Sequence, residues 1–87
     1  MRRDQREHTY VRRVGRAIRK LRTERGLSQE KLAHRAHLHR TYIGAVERGE
    51  RNITIVSLFR IASAFGVSPA VILREAEEPN GESKPQF

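Results

Sequence analysis

Short runs of apolar residues at helical spacing, each bounded by a start or stop signal, limit what this chain can fold into. Gly26, Gly49 and Gly66 each follow such a run, and glycine is the residue that most often ends a helix. Ser28 and Thr54 precede two of the runs, at positions that suit helix N-caps. No segment alternates with the two-residue period of a half-buried strand. The chain is therefore predicted to be all-α, with five short helices.

The boundaries of these helices follow from the same signals. The first is expected near residues 10–25, and the second is SQEKLAHRA, opened by Ser28. The third follows the turn HLH and ends at Gly49, the fourth begins after Thr54, and the fifth spans about residues 69–76 with Pro69 in its first position. Their spacing predicts these core residues: Val11, Val14, Ala17, Ile18, Leu21, Leu32, Ala33, Ala36, Ile43, Val46, Leu58, Ile61, Ala62 and Phe65.

A chain of 87 residues is expected to form one domain. We predict a basic, flexible N-terminal arm at 1–9, the folded domain at 10–76 and a disordered tail at 77–87, where the sequence is polar and contains Pro and Gly. No apolar run approaches the roughly 20 residues that cross a bilayer, and no signal core is present, so a cytoplasmic location is expected.

Charge is concentrated in the first part of the chain. The net charge is +8, and residues 1–25 hold ten Lys and Arg against three acids. A strongly basic domain indicates a polyanionic partner, and nucleic acid is the commonest partner of this kind. There is no cysteine, which excludes disulfides and thiolate metal sites.

The stretch HLHRTYIGAVERG combines a basic face with an unusual glycine. Its outer face is predicted to carry Arg40, Thr41, Gly44, Ala45 and Arg48, and a glycine in mid-helix costs about 1 kcal/mol against alanine. Small residues on that face would allow close approach to a partner. Two helices joined by a three-residue turn, the second basic outside, are the geometry of a helix-turn-helix.

The segments LSQEKLA, YIGAVERGERN and LFRIASAFGVS together resemble the lambda-repressor and Cro type (Xre family) of helix-turn-helix protein, over about residues 11–74. Within that family the chain is most similar to the controller proteins of restriction–modification systems. The resemblance implies a five-helix, lambda-repressor-like DNA-binding domain with the helix-turn-helix at helices 2 and 3. It also implies a homodimer on a palindromic operator in double-stranded DNA, with RNA polymerase as a candidate partner and no cofactor.

Two alternatives to the controller role stay open. The first is a general or phage-type repressor, and the second is an antitoxin that autoregulates its operon. An RNA-binding protein is disfavoured, because only five aromatic residues are available for stacking on bases. No nucleophile–base pair or pair of carboxylates indicates an enzyme. His34, His37 and His39 lack a carboxylate or thiol to complete a metal site.

The family resemblance implies that the third helix lies in the major groove with its N-terminal part against the bases. Arg40 is then expected to grip guanine O6 and N7, and Thr41 to meet a base edge such as the thymine methyl group. Arg48 lies two turns on, where a phosphate contact or a solvated position is the alternative. Gly44 and Ala45 are expected to let the helix approach DNA closely.

Further DNA contacts are implied on both sides of that helix. Ser28 and Gln29 begin the second helix, where free N–H groups suit a phosphate, and Gln29 resembles the family glutamine that contacts the backbone. Tyr42, Arg51 and Asn52 match positions that touch backbone or a flanking base in controller-like proteins. Their alternative is a structural role in the loop.

An inward carboxylate and a turn histidine complete the predictions for this motif. Glu47 needs a partner, because an unpaired buried charge costs several kcal/mol, and the resemblance places Arg22 there as a structural ion pair. His37 stands where the family usually has a glycine with positive φ, which histidine tolerates better than most residues. His39 is a weaker N-cap than Ser, Thr or Asp.

Apolar residues remain that one core does not need. Val56 and Phe59 lie off the inner stripe of the fourth helix, and Val71, Ile72 and Leu73 crowd together on the fifth. An uncovered apolar patch on a small protein usually marks an interface. We therefore predict a two-fold dimer that uses these five residues.

Overall fold

A computed structural model describes residues 5–77 as five α-helices with no strand among them. The helices are α1 (Gln5–Glu24), α2 (Gln29–Ala36), α3 (Arg40–Glu47), α4 (Ile55–Phe65) and α5 (Pro69–Glu77). The predicted all-α class and the number of helices are confirmed.

The start and stop signals in the sequence act as predicted. The Ser28 hydroxyl accepts a hydrogen bond from the Lys31 N–H at 3.0 Å, and the Thr54 hydroxyl accepts one from the Ser57 N–H at 3.0 Å. Each cap satisfies a backbone donor that has no partner inside the helix. Gly66 ends α4 with φ 75°, in the left-handed region that favours glycine.

The first helix begins earlier than predicted. It starts at Gln5, so residues 5–9 of the predicted arm belong to this helix. No proline or glycine interrupts the sequence before Tyr10, and Glu7 in the first turn complements the helix dipole. Residues 1–4 and 78–87 lie outside the described part of the chain. The second of these ranges is the predicted tail without Glu77, which is the last residue of α5.

The core lies between the five helices, and each of them contributes buried side chains to it. Helix α1 packs against α3 and α5, α2 packs against α3 and α4, and α4 packs against α5. The largest fully buried side chains are Ile18, Leu32, Ile43, Val46, Ile61 and Ile72. Every helix supplies at least one of them, so α3 cannot shift without disturbing a shared core.

Ile72 corrects the predicted interface. Its exposed fraction is 0%, so it cannot contact a second protein while the fold is intact. Ile72 and Ala76, four residues apart, form the inner face of α5. Crowding of apolar residues on a short helix did not reveal which of them faces inward.

The turn between α2 and α3 has the backbone expected for His37. Its φ of 58° and ψ of 44° are left-handed, and within residues 5–77 it is the only non-glycine residue with positive φ. The Leu38 N–H donates to the Ala33 carbonyl at 2.9 Å and the His37 N–H to the His34 carbonyl at 3.3 Å. This pattern is a Schellman closure of α2.

Within residues 5–77 no single helix is long and apolar enough to cross a bilayer. Helices α4 and α5 reach that length and composition only when taken together, and the chain bends by 101° between them.

Candidate nucleic-acid interface

Helices α2 and α3 and their three-residue turn form a helix-turn-helix unit. Arg40 and Thr41 occupy the first two positions of α3, and both are exposed. His39 is the N-cap of α3, but its side chain accepts no hydrogen bond from the first N–H groups of that helix. The N-terminal end of α3 therefore presents a guanidinium, a hydroxyl and free backbone donors on one surface.

Arg22 and Glu47 form a two-point ion pair behind α3. Arg22 Nε lies 2.7 Å from Glu47 Oε2, and Nη2 lies 2.9 Å from Oε1. A third donor, Nη1, reaches the Leu27 carbonyl at 2.8 Å. Only 11% of the Arg22 side chain and 3% of the Glu47 side chain are exposed. The hydrogen bonds to Glu47 raise the pKa of Arg22 above its ordinary value, so the Arg22 guanidinium stays charged.

Gln29 joins this ion pair to the surface. Its Nε2 donates to Glu47 Oε1 at 3.0 Å, which uses one of the two amide hydrogens. The same side chain was predicted to contact a phosphate. In the structure it is half-buried, and it links the start of α2 to the end of α3. No buried side-chain nitrogen or oxygen in the described residues lacks a partner.

The face of α3 at Gly44 is covered, whereas the sequence predicted that small residues leave it open to a partner. It is buried, because the Arg48 side chain lies over it. A Cβ atom at Gly44 would lie 3.0 Å from Arg48 Nη1 and 3.6 Å from Gln29 Oε1. Both atoms end flexible side chains, so the cover can move. Ala45 beside it is half-buried.

Arg48 is held in this position by Glu50. Its Nε and Nη2 lie 3.0 and 3.1 Å from the two carboxylate oxygens. The hydrogen bonds raise the pKa of Arg48 and lower the pKa of Glu50 from their ordinary values. The pair is exposed on both sides, so it contributes little to stability. Arg48 is therefore paired with Glu50 rather than simply solvated, and three of its five N–H groups lie outside that pair.

Tyr42, Arg51 and Asn52 lie on the α3–α4 side of the unit. The Tyr42 hydroxyl accepts a hydrogen bond from the Thr54 N–H at 3.3 Å, so it supports the N-terminus of α4. The Arg51 guanidinium lies over the Tyr42 ring, 5.4 Å from its centre. Asn52 is exposed, and its side chain makes no hydrogen bond within the described residues. Tyr42 thus has a structural role, whereas Arg51 and Asn52 remain accessible.

Two glycines set the position of α3: Gly15, which carried no prediction, and Gly49, which was predicted only to end that helix. A Cβ atom on Gly15 of α1 would overlap the Val46 carbonyl oxygen, so the two backbones are in contact. Gly49 follows α3 with φ 76°, and a Cβ there would press on Arg12. A glycine inside the predicted α1 was the available signal, since glycine in mid-helix needs a reason.

The predicted dimer surface is partly present. Val56, Phe59 and Leu73 are exposed, Phe59 to 58%. Val71 is half-buried against the core. Ile55, which the sequence analysis did not include, is also exposed and adjoins Val56 at the start of α4. A contiguous apolar set on α4 therefore faces solvent in the single chain.

Comparison with known proteins agrees with this architecture. The helix-turn-helix family matches residues 18–72. The control protein C.BamHI of Bacillus amyloliquefaciens is 41% identical over 71 residues, which cover 80% of this chain and 88% of that protein. The control protein C.SmaI of Serratia marcescens is 48% identical over 59 residues, which cover 67% and 70%.

A solved structure gives the same result in three dimensions. The restriction–modification controller protein C.AhdI from Aeromonas hydrophila superimposes with a TM-score of 0.70 at 42% identity, over 71% of this chain and 94% of that one. The lambda-repressor-like fold implied by the sequence is thereby confirmed. This chain belongs to the helix-turn-helix family of Xre type, among relatives that include restriction–modification control proteins.

Proposed function

We propose that this protein is a sequence-specific DNA-binding transcriptional regulator of the restriction–modification controller type. The names of its relatives support this assignment, since they are control proteins and helix-turn-helix transcriptional regulators. In this proposal α3 enters the major groove and acts as the recognition helix. The proposal requires DNA binding and no catalysis. The position of the bound protein on the DNA determines its effect on transcription.

One observation carries the proposal. The exposed first turn of α3 presents Arg40 and Thr41, while the buried end of the same helix is fixed by the Arg22–Glu47 pair. A rigid helix with free side chains at its N-terminal end suits direct readout, because base contacts require fixed geometry. Arg40 would donate two hydrogen bonds to a guanine, and Thr41 would meet a neighbouring base edge.

Phosphate contacts would flank this readout on two sides. The N-terminus of α2, at Ser28 and Gln29, offers backbone N–H groups and the positive end of a helix dipole. Arg51 and Asn52 are accessible on the other side of α3. Such contacts set the register of the protein on DNA and carry no sequence information themselves.

A dimer would place two recognition helices in successive major grooves. A two-fold arrangement then needs half-sites about one helical turn, roughly 34 Å, apart, and hence a palindromic operator. The exposed apolar residues Val56, Phe59 and Leu73 supply the surface for such a dimer. RNA polymerase is the further partner that an activating regulator would contact.

Selection of bound duplexes from a random library tests the proposal. We expect a palindromic consensus with a guanine in each half that depends on Arg40. Arg40→Ala should lose about 1–3 kcal/mol per half-site and relax the preference at that base pair alone. Arg74→Ala, at an exposed position of α5, is the control and should leave the consensus unchanged. A library that yields no common sequence would overturn the proposal.

A further inference from the structure

Three arginines form a stripe along the exposed side of α1. Arg12, Arg16 and Arg19 are all exposed, and they lie four and three residues apart. At about 3.6 residues per turn this spacing places them within one narrow sector of the helix. We call these three residues the α1 arginine stripe.

The packing of α1 shows which way this stripe faces. Gly15 and Arg22 mark the line along which α1 meets α3, since one contacts the Val46 carbonyl and the other pairs with Glu47. On the far side, Lys20 pairs with Glu75 of α5 at 2.7 Å. The stripe lies between these two lines on the solvent side.

The stripe also begins directly beside the end of α3. A Cβ atom at Gly49, two residues past the end of α3, would meet Cγ, Cα and Cβ of Arg12. The stripe therefore starts where α3 ends and runs along α1 from there. It occupies the solvent-facing side of α1, between the contacts of α1 with α3 and those with α5.

The stripe arginines have no partners inside the described chain. Among residues 5–77, Arg22 and Arg48 form ion pairs and Arg25 bonds to two carbonyls, whereas Arg12, Arg16 and Arg19 make no hydrogen bond or ion pair. Like charges three and four residues apart on a helix repel one another. The arrangement is thus unfavourable for the isolated helix.

We propose that the α1 arginine stripe binds the phosphate backbone of the same duplex that α3 reads. The inference rests on the proposed function, because it needs α3 in the groove. From Arg12 to Arg19 the stripe is about 10 Å long at 1.5 Å per residue. Each strand of a duplex carries one phosphate per about 3.4 Å of its axis, so about three phosphates of one strand fall within this length when α1 runs parallel to the duplex axis. Arginine suits this role because its planar guanidinium group can donate two hydrogen bonds to the oxygens of one phosphate.

Phosphate fits the stripe better than an acidic protein surface does. The stripe is regular and starts beside the C-terminal end of α3 at Gly49, so a duplex that α3 enters would reach it by extending past that end of the helix. The three side chains are long and unpaired, which suits contacts to a backbone whose position varies by a few ångströms between sequences. The stripe adds affinity and register, whereas Arg40 and Thr41 provide sequence preference.

A pair of double variants separates the stripe from general charge. Arg16→Gln with Arg19→Gln removes two stripe charges and keeps good helix formers. The control is Arg13→Gln with Arg74→Gln, which removes two arginine charges away from α3. Circular dichroism and melting curves first establish that both variants fold. Affinity is then measured against salt concentration on two duplexes, one selected from the random library and one with the same bases scrambled.

The stripe variant should weaken binding to both duplexes by the same factor. Its slope of log affinity against log salt should fall by about 1.8 per bound protomer, because each arginine that neutralises a phosphate contributes about 0.9 to that slope. The control should change the slope much less. Equal losses of affinity in both variants, or no loss in the stripe variant, would overturn the inference. So would a stripe variant that binds DNA normally but fails to regulate transcription, since that result points to an acidic protein partner.

Failure of the stripe and failure of the proposed function give different results. If the parent protein prefers no duplex over its scrambled form, the proposed function fails. If the parent shows a clear preference and the stripe variant binds as tightly as the parent, only the stripe assignment fails.

Discussion

Gly15 of α1 lies directly against the backbone carbonyl of Val46 in α3. No side chain separates the two helices at this point, so the recognition helix rests on the backbone of α1. The Arg22–Glu47 ion pair joins the same two helices about two turns further along α1. One steric contact and one polar contact therefore fix the position and the tilt of α3.

Gly15→Ala should destabilise the protein. A methyl group would overlap the Val46 carbonyl, and overpacking of this kind costs about 1–3 kcal/mol, partly offset by the better helix propensity of alanine. We expect a lower urea midpoint with an unchanged slope.

Gly44→Ala is the matched control, since it also replaces a mid-helix glycine. Its new methyl group would press only on the movable end of Arg48 and would lie at an ordinary contact distance from Gln29, so propensity should dominate and stability should rise by about 0.5–1 kcal/mol. If both glycine variants gain stability, α1 and α3 are not in backbone contact.

Glu47→Gln should be strongly destabilising. The change keeps the shape of the side chain but leaves the buried Arg22 charge unpaired, which costs about 3–5 kcal/mol. DNA affinity should fall as well, because α3 loses its anchor to α1.

Glu50→Gln provides the comparison for that result. It breaks the exposed pair with Arg48 and should leave the melting temperature nearly unchanged. Equal melting temperatures for the Glu47→Gln variant and the parent would show that the buried pair has no structural role.

His37→Gly should stabilise the protein. His37 has φ 58°, where glycine has no steric penalty, and its side chain is exposed and makes no hydrogen bond within the described residues. We expect a gain of a few tenths to about 1 kcal/mol, reduced by the greater freedom of glycine in the unfolded chain. Thermal unfolding measures this change, and DNA affinity should be unaltered. A clear drop in melting temperature would mean that the histidine makes a contact the fold needs.

Local signals account for what could be predicted from the sequence. Ser28 and Thr54 cap helices because their hydroxyls satisfy nearby N–H groups, a relation that spans three residues. The same is true of Gly66 and of His37, whose backbone angles close the helices before them. The core faces of α1 to α4 followed from periodicity.

Tertiary contacts account for what could not be predicted. The contact of Gly15 with Val46 joins residues 31 positions apart, so no local pattern encodes it. The burial of Ile72 depends on how α5 turns against α1 and α4, and the cover of Gly44 depends on the rotamer of Arg48. At none of these positions does sequence periodicity identify the neighbouring residue.

The exposed apolar side chains of α4 and α5 should pair two copies of the protein. Phe59 is 58% exposed and adjoins Val56, whereas Ile72 is excluded because it belongs to the core. Phe59→Ser should therefore shift the protein toward monomer without loss of helicity, as measured by sedimentation equilibrium at tens of micromolar. His8→Ser, at an exposed position of α1, should leave the mass of the assembly unchanged. A parent protein that sediments as a monomer without DNA would contradict the prediction.

Gly44→Leu should separate folding from DNA binding. Leucine favours the helix by about 1 kcal/mol over glycine, and its side chain would only displace the end of Arg48, so the melting temperature should not fall. The same side chain would stand on the face of α3 that the proposed function puts against the bases. Binding to the selected duplex should drop at least tenfold, by about 1.4 kcal/mol or more. If the Gly44→Leu variant binds as tightly as the parent, α3 does not lie in the groove.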